Sequence, residues 1–119
     1  MKPIDALKTA RNAYIHRQVN RVKLPDFEEN RFVRRHIIFH GRVQKVGFRI
    51  EMAQMAKRLE LTGWVKNAEN GDVIAQVQGF ESRIRFLIKF MDSIKRIKIK
   101  KIENKPHSIK PDETDFRIL

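Results

Sequence analysis

The sequence predicts an α+β fold: a split βαβ sandwich, ferredoxin-like, with two helices covering an antiparallel sheet, preceded by an N-terminal extension for which a helix is expected. Three observations predict it. Two segments carry apolar residues at helical spacing, several short segments alternate with a two-residue period, and these follow one another as strand, helix, strand, strand, helix, strand. A length of 119 residues accommodates one such domain and little else.

Residues 1–33 form the extension, in which Ile4, Leu7, Ala10, Tyr14 and Val22 recur at a loose helical spacing before Pro25 and Asp26 break it. A helix is expected there, and no motif in it carries chemistry. The domain proper is expected over 34–119. Ile37, Ile38 and Phe39 form a short apolar run ending at Gly41, which reads as a buried strand reaching a tight turn. Phe48, Met52, Met55, Ala56 and Leu59 then make one apolar stripe of a helix that Thr62 and Gly63 end. Trp64 and Val65, the turn-forming run Glu69, Asn70, Gly71, Asp72, and the alternating Val73, Ala75, Val77 read as a hairpin. Ile84, Leu87, Ile88, Met91 and Ile94 give the second helical stripe, with Ser82 as its expected cap. Ile97 and Ile99 alternate with lysines, Lys100 and Lys101 interrupt the alternation before Ile102, and Phe116 and Ile118 close the chain; this predicts a bulged strand and a short terminal one. The order is that of a ferredoxin-like sandwich, a fold that settles no function by itself.

The formal net charge of +12 points to anionic partners: phosphates, acidic metabolites, nucleic acid or anionic lipid. Nineteen of the 26 Lys and Arg and ten of the 14 acids lie from Arg34 onward, so the excess belongs mainly to the segment with the best core pattern. The folded part itself prefers anions. With no cysteine there is no disulfide framework, thiolate nucleophile or cysteine-ligated zinc. No apolar run approaches a membrane span, and the first twenty residues carry Asp5, Arg11 and Arg17 without an apolar core, so the expected location is the cytoplasm.

Several chemistries find no support in the motifs. The chain has no Walker A loop, no Gly-x-Ser-x-Gly elbow and no His, Cys and acid cluster at metal-ligand spacing. His36 and His40 would lie about 13 Å apart along a strand, too far to share an ion, and read as surface or satisfied histidines. The segment Gly41 to Arg49 is different, because it runs from a strand end into a helix start. Unpaired N–H groups there point outward with a positive partial charge, so a loop curled over them cradles phosphate oxygens, with Gly41 and Gly47 letting the chain bend. Arg49, in the first helical turn, meets the positive end of the macrodipole, a conflict that a bound anion removes. On position alone, an ordinary solvated arginine is an equal reading.

Gly41, Arg42, Val43, Gln44, Lys45, Val46, Gly47, Phe48, Arg49 resembles the signature of the acylphosphatase family, and Gly63, Trp64, Val65, Lys66, Asn67 resembles its second element. Order, spacing and the intervening helix agree over about 85 residues, down to a closing Asp115, Phe116, Arg117. The resemblance implies a cytoplasmic, metal-free hydrolase without cofactor, acting as a monomer on small acyl phosphates, with inorganic phosphate as product and competitor. It implies that the loop amides of Gln44, Lys45, Val46, Gly47 and Phe48 and the guanidinium of Arg49 bind the phosphate, and that Asn67 positions the attacking water. Such chemistry suits a sparse set of side chains, since the leaving carboxylate has a conjugate acid of pKa near 4 and departs without protonation.

This sequence has Lys45 where the family usually has glycine. Lysine there either strains a left-handed turn and crowds the phosphate or adds attraction for the anion. Two alternatives to the hydrolase remain open. One is a catalytically impaired relative that binds phosphate or a protein partner; the other is an RNA-binding ferredoxin-like module using Lys95, Lys98, Lys100 and Lys101, although RNP-type aromatic patterns are missing from the strands.

Overall fold

The computed structural model describes residues 3–29 and 31–119, with side chains from Ala6 onward. Residues 1, 2 and 30 of the expected extension, and the Ile4 side chain of its stripe, lie outside the described residues. The elements are α1 (Pro3–Arg21), β1 (Phe32–Arg42), α2 (Phe48–Arg58), β2 (Thr62–Asn67), β3 (Val73–Phe80), α3 (Glu81–Ser93), β4 (Lys98–His107) and β5 (Phe116–Ile118). The strands form one sheet in the order β4-β1-β3-β2-β5.

The α+β sandwich is the one the patterns predict, with one addition: β5 pairs with β2 in parallel, Gly63 opposite Phe116 and Val65 opposite Ile118, so the sheet is mixed. Period alone fixes which face a strand buries, not its direction, which is set here by the return of the chain along 108–115. The helix-facing side of the sheet is apolar: Ile37, Phe39, Val65, Val73, Ala75, Val77 and Phe116 are buried with Phe48, Met52, Met55, Ala56, Leu59, Ile84, Leu87 and Met91 of the helices. Ile38, between two buried neighbours, falls on the other face and is only half-buried, so β1 is covered on one side rather than wholly enclosed.

The interruption expected at Lys100 and Lys101 is a bulge. His40 pairs with Lys101 and Gly41 with Ile99, which leaves Lys100 as the extra residue. Gly41 opposite it has φ 130° and no room for a Cβ against the carbonyl of Lys98, so glycine is required where β1 leaves the sheet for the loop. Ser82 does not cap α3, because the helix starts at Glu81 directly from β3 with Phe80 as N-cap. Its hydroxyl instead donates to the carbonyl of Glu28, while Glu81 N–H is satisfied by the carbonyl of Arg31. A strand that runs into a helix without a linker leaves no position for a capping side chain.

The N-terminal helix buries a face other than the one its apolar spacing suggests. Leu7 and Tyr14 are 71% and 50% exposed, whereas Ile15 and Val19 are at 0%. Ile15 and Val19, four residues apart, pack into the core beside α2. Arg58 of α2 donates to the carbonyls of Val19 and Val22, tying the end of α1 and the turn that follows it to α2. Farther along, Phe27 meets Phe86 edge to face at 5.5 Å, with Arg83 stacked on its ring at 4.9 Å, so the connection to β1 lies along α3.

On the outer sheet face, Arg34 is fully buried. Its guanidinium bonds Gln76 (2.9 Å) and Gln78 (3.2 Å) and grips both oxygens of Glu113 (2.7 and 3.1 Å). This fork pins the 108–115 segment that delivers β5 to its place beside β2.

Candidate active site

The loop between β1 and α2 is shaped by what its side chains do away from the site. Val43 and Val46 are buried in the core, turning the intervening backbone outward. Gln44 reaches across to the β2–β3 turn, its amide donating to the carbonyls of Ala68 (2.7 Å) and Asp72 (2.8 Å). Arg96 donates to the carbonyl of Val46 at 2.5 Å and approaches Glu51 of α2 at 3.6 Å. Burial pushes the Glu51 carboxyl up from its ordinary value, and Arg96 opposes that shift.

Two left-handed residues make the curl. Lys45 has φ 62° and Gly47, the N-cap of α2, has φ 79°. Lys45 therefore adopts the conformation the family's glycine would favour, at a backbone cost of about 1 kcal/mol. Its side chain is exposed. At Gly47 a Cβ would stand 2.6 Å from Cδ1 of Ile15 and 3.2 Å from Nε of Arg11, so this glycine also permits close approach of α1.

Lys45, Gly47, Phe48 and Arg49 line a pocket of about 60 Å³ together with Asn67, which arrives from the end of β2. A single water needs about 10–15 Å³ by the same kind of measure, so several water-sized groups fit. Gln44 and Val46 do not line it; the first braces the loop against the turn beside Asn67, and the second anchors it in the core. Phe48 does both, lining the pocket and packing against Phe39 at 4.9 Å. Arg11, Val43 and Ile50 complete the lining, and none of the lining residues is acidic.

The polar groups that line the pocket are largely left free by the fold. Arg49 makes one long contact, 3.5 Å from Nη1 to the main-chain oxygen of Leu119, and among the described residues Asn67 has no side-chain hydrogen bond and Lys45 no ion pair. The first turn of α2 also presents its outward N–H groups here, with Gly47 providing no side-chain cap. Cations, helix dipole and a neutral amide thus converge on one small volume, an arrangement suited to a compact anion with a water beside it.

The two histidines are apart and occupied. His40 holds Asp72 through Nδ1 at 3.0 Å and Glu103 through Nε2 at 2.7 Å, and these carboxylates, Glu103 first, hold its pKa above the ordinary histidine value. The same Asp72 carries the carbonyl that receives Gln44, so His40 steadies the turn next to Asn67 from behind. His36 accepts through Nδ1 from the side-chain amide of Gln76 at 3.0 Å and stacks with His107.

A family model described as acylphosphatase matches residues 35–118. This chain belongs to the acylphosphatase family. The acylphosphatase of Geobacillus kaustophilus is 40% identical over 88 residues, covering 71% of this chain and 90% of that one. Among solved structures, the acylphosphatase from Bacillus subtilis superposes with a TM-score of 0.68 at 28% identity, covering 73% of this chain and 98% of that one. An acylphosphatase from Coxiella burnetii gives 0.68 at 29%, over 74% and 93%. The general activity of the family, acyl phosphate hydrolysis, comes with membership; the roles of individual residues do not. Helix α1 lies outside the matched segment. No helix among the described residues is long and apolar enough to cross a membrane.

Proposed function

We propose that this chain hydrolyses acyl phosphates to a carboxylate and inorganic phosphate, with the phosphoryl group held by those amides of the 44–48 loop that line the pocket, at Lys45, Gly47 and Phe48, and by Arg49, and the attacking water oriented by Asn67. The observation that carries this reading is the convergence of Arg49, Lys45, the start of α2 and the unoccupied amide of Asn67 on one pocket without an acid.

In this reading the phosphoryl oxygens take the donors that α2 and the loop leave open, and Arg49 offsets the charge that builds on them in the transition state. Asn67 accepts a hydrogen bond from the water and holds its oxygen in line with the bond to be broken. The water oxygen bonds to phosphorus as the bond to the acyl oxygen breaks, the electron pair leaves with the carboxylate, and a phosphate oxygen takes the water's proton. A carboxylate departs unaided at neutral pH, so neither a general acid nor a metal is required. We take the site to act in a monomer, in the cytoplasm. The outward side chain and left-handed backbone of Lys45 support a working variant of the cradle rather than an impaired one.

The test is hydrolysis of benzoyl phosphate in EDTA, with inorganic phosphate as competitor, by the wild type and Lys45→Gly. Both are expected to turn over with competitive inhibition by phosphate. Lys45→Gly should bind phosphate a few-fold more weakly, having lost a cation, yet melt a few degrees higher as about 1 kcal/mol of left-handed strain is relieved. Absence of turnover in the wild type would reject the reading, and salt-sensitive RNA binding in its place would favour the nucleic-acid module.

A further inference from the structure

Helix α1 reaches the pocket with a cation that neither the two family elements nor the matched segment contains. Arg11 precedes the fully buried Ile15 by four residues and Val19 by eight, so the face that docks α1 on the core also turns Arg11 onto the cradle. It lines the inner pocket with Lys45, Gly47, Arg49 and Asn67, and its Nε lies 3.2 Å from where a Cβ of Gly47 would stand.

The Arg11 guanidinium is poorly satisfied by the protein. Among the described residues, its Nε is buried with no hydrogen-bond partner, and its one bond is a long 3.5 Å contact from Nη2 to Oδ1 of the adjacent Asn12. A buried donor left unpaired typically costs about 1–3 kcal/mol, so such a group is normally paired elsewhere or awaits a ligand. The carboxylate that shares its neighbouring cleft, Glu51, is engaged by Arg96. Toward solvent, the pocket opens into a cleft of about 670 Å³ beneath α1, to which Lys8 and Arg11 contribute and, among the described residues, no acid does.

We infer that α1 is part of the active site and that Arg11 is a second guanidinium for the bound phosphoryl group, across the pocket from Arg49; this rests on the phosphate-binding reading above. The site is then incomplete in a chain trimmed to the segment the family shares. Arg11 approaches from α1 while the loop amides come from the β1–α2 turn, so the anion is held between two elements and α1 is fastened over the mouth when it binds.

The experiment is calorimetric binding of inorganic phosphate to the full chain, with Arg11→Met and Arg11→Lys, alongside the KM for benzoyl phosphate and melting in phosphate-free buffer. Methionine keeps an apolar stem against Gly47 while removing the charged fork. The expected result is a phosphate Kd at least about tenfold weaker for R11M, about threefold or more for R11K, with KM rising in parallel and Tm within a few degrees of wild type. If R11M binds phosphate within about twofold of wild type, Arg11 only packs and the inference is overturned. Should R11M melt well below wild type, R11K decides: wild-type affinity in R11K overturns the inference, and weaker affinity at unchanged Tm sustains it. A wild type that fails to hydrolyse benzoyl phosphate while R11M still loses phosphate affinity would reject the hydrolase reading and leave this one standing.

Discussion

Arg49→Ala is expected to lower kcat/KM for benzoyl phosphate at least about a hundredfold, the loss associated with removing one preorganised donor to developing charge. That corresponds to about 2.7 kcal/mol of transition-state stabilisation. The fold should not suffer, because among the described residues the one hydrogen bond of the Arg49 guanidinium is the 3.5 Å approach to the oxygen of Leu119. Arg49 also stands in the first turn of α2, where a cation opposes the helix dipole, so its removal should leave Tm unchanged or slightly raised. Inorganic phosphate should bind more weakly in the same variant. Steady-state kinetics with a thermal melt separates this outcome from misfolding: activity falls while stability does not.

Asn67→Ala is expected to lower kcat by a similar or larger factor while leaving the phosphate Kd near the wild-type value. The difference from Arg49 follows from the role. Arg49 contacts the anion in the ground state and the transition state, whereas an amide that aligns water acts only on the reacting pair. Asn67 is exposed at the end of β2, and truncating such a side chain changes stability by no more than about 0.5 kcal/mol. A kcat within a few-fold of wild type would remove Asn67 from the mechanism. An equal loss of phosphate affinity and turnover would instead make it a phosphate ligand.

The fold was legible where side-chain period and burial coincide. Phe48, Met52, Met55, Ala56 and Leu59 are all buried, as one helical face requires, and the turn at Glu69 to Asp72 joins β2 and β3. The misreadings share a cause in tertiary contacts that leave no local trace. Ile15 and Val19 dock α1 because Arg58 and Gly47 receive it, contacts from residues 32 and 39 positions away that no window over 1–24 contains. Ser82 has the chemistry of a cap and lies two residues past the N-cap position, which Phe80 holds. The parallel seating of β5 depends on the Arg34–Glu113 fork, which joins residues far apart in the chain.

In the candidate site, the loop, Arg49 and Asn67 stood out as candidates because two glycines, a helix start and a resemblance coincide over a short segment, and the structure brings Lys45, Gly47, Phe48, Arg49 and Asn67 to one pocket. The bracing of the loop by Gln44 was not. Its side chain spans from the loop to the opposite turn, and glutamine in a loop carries no local signal of such a reach. Arg11 was missed because it sits among ordinary helical charges. The available signal was its four-residue spacing from Ile15, which identifies the buried face only once Ile15 and Val19 are chosen over Leu7 and Tyr14.

In the proposed mechanism, water is delivered to phosphorus held in the cradle. Turnover of benzoyl phosphate in water enriched in oxygen-18, followed by mass spectrometry of both products, tests it directly. One labelled oxygen in each phosphate and none in benzoate is the predicted result. Label in benzoate would mean that water attacks the carbonyl carbon, and would contradict the roles given to Arg49, the loop and Asn67 together.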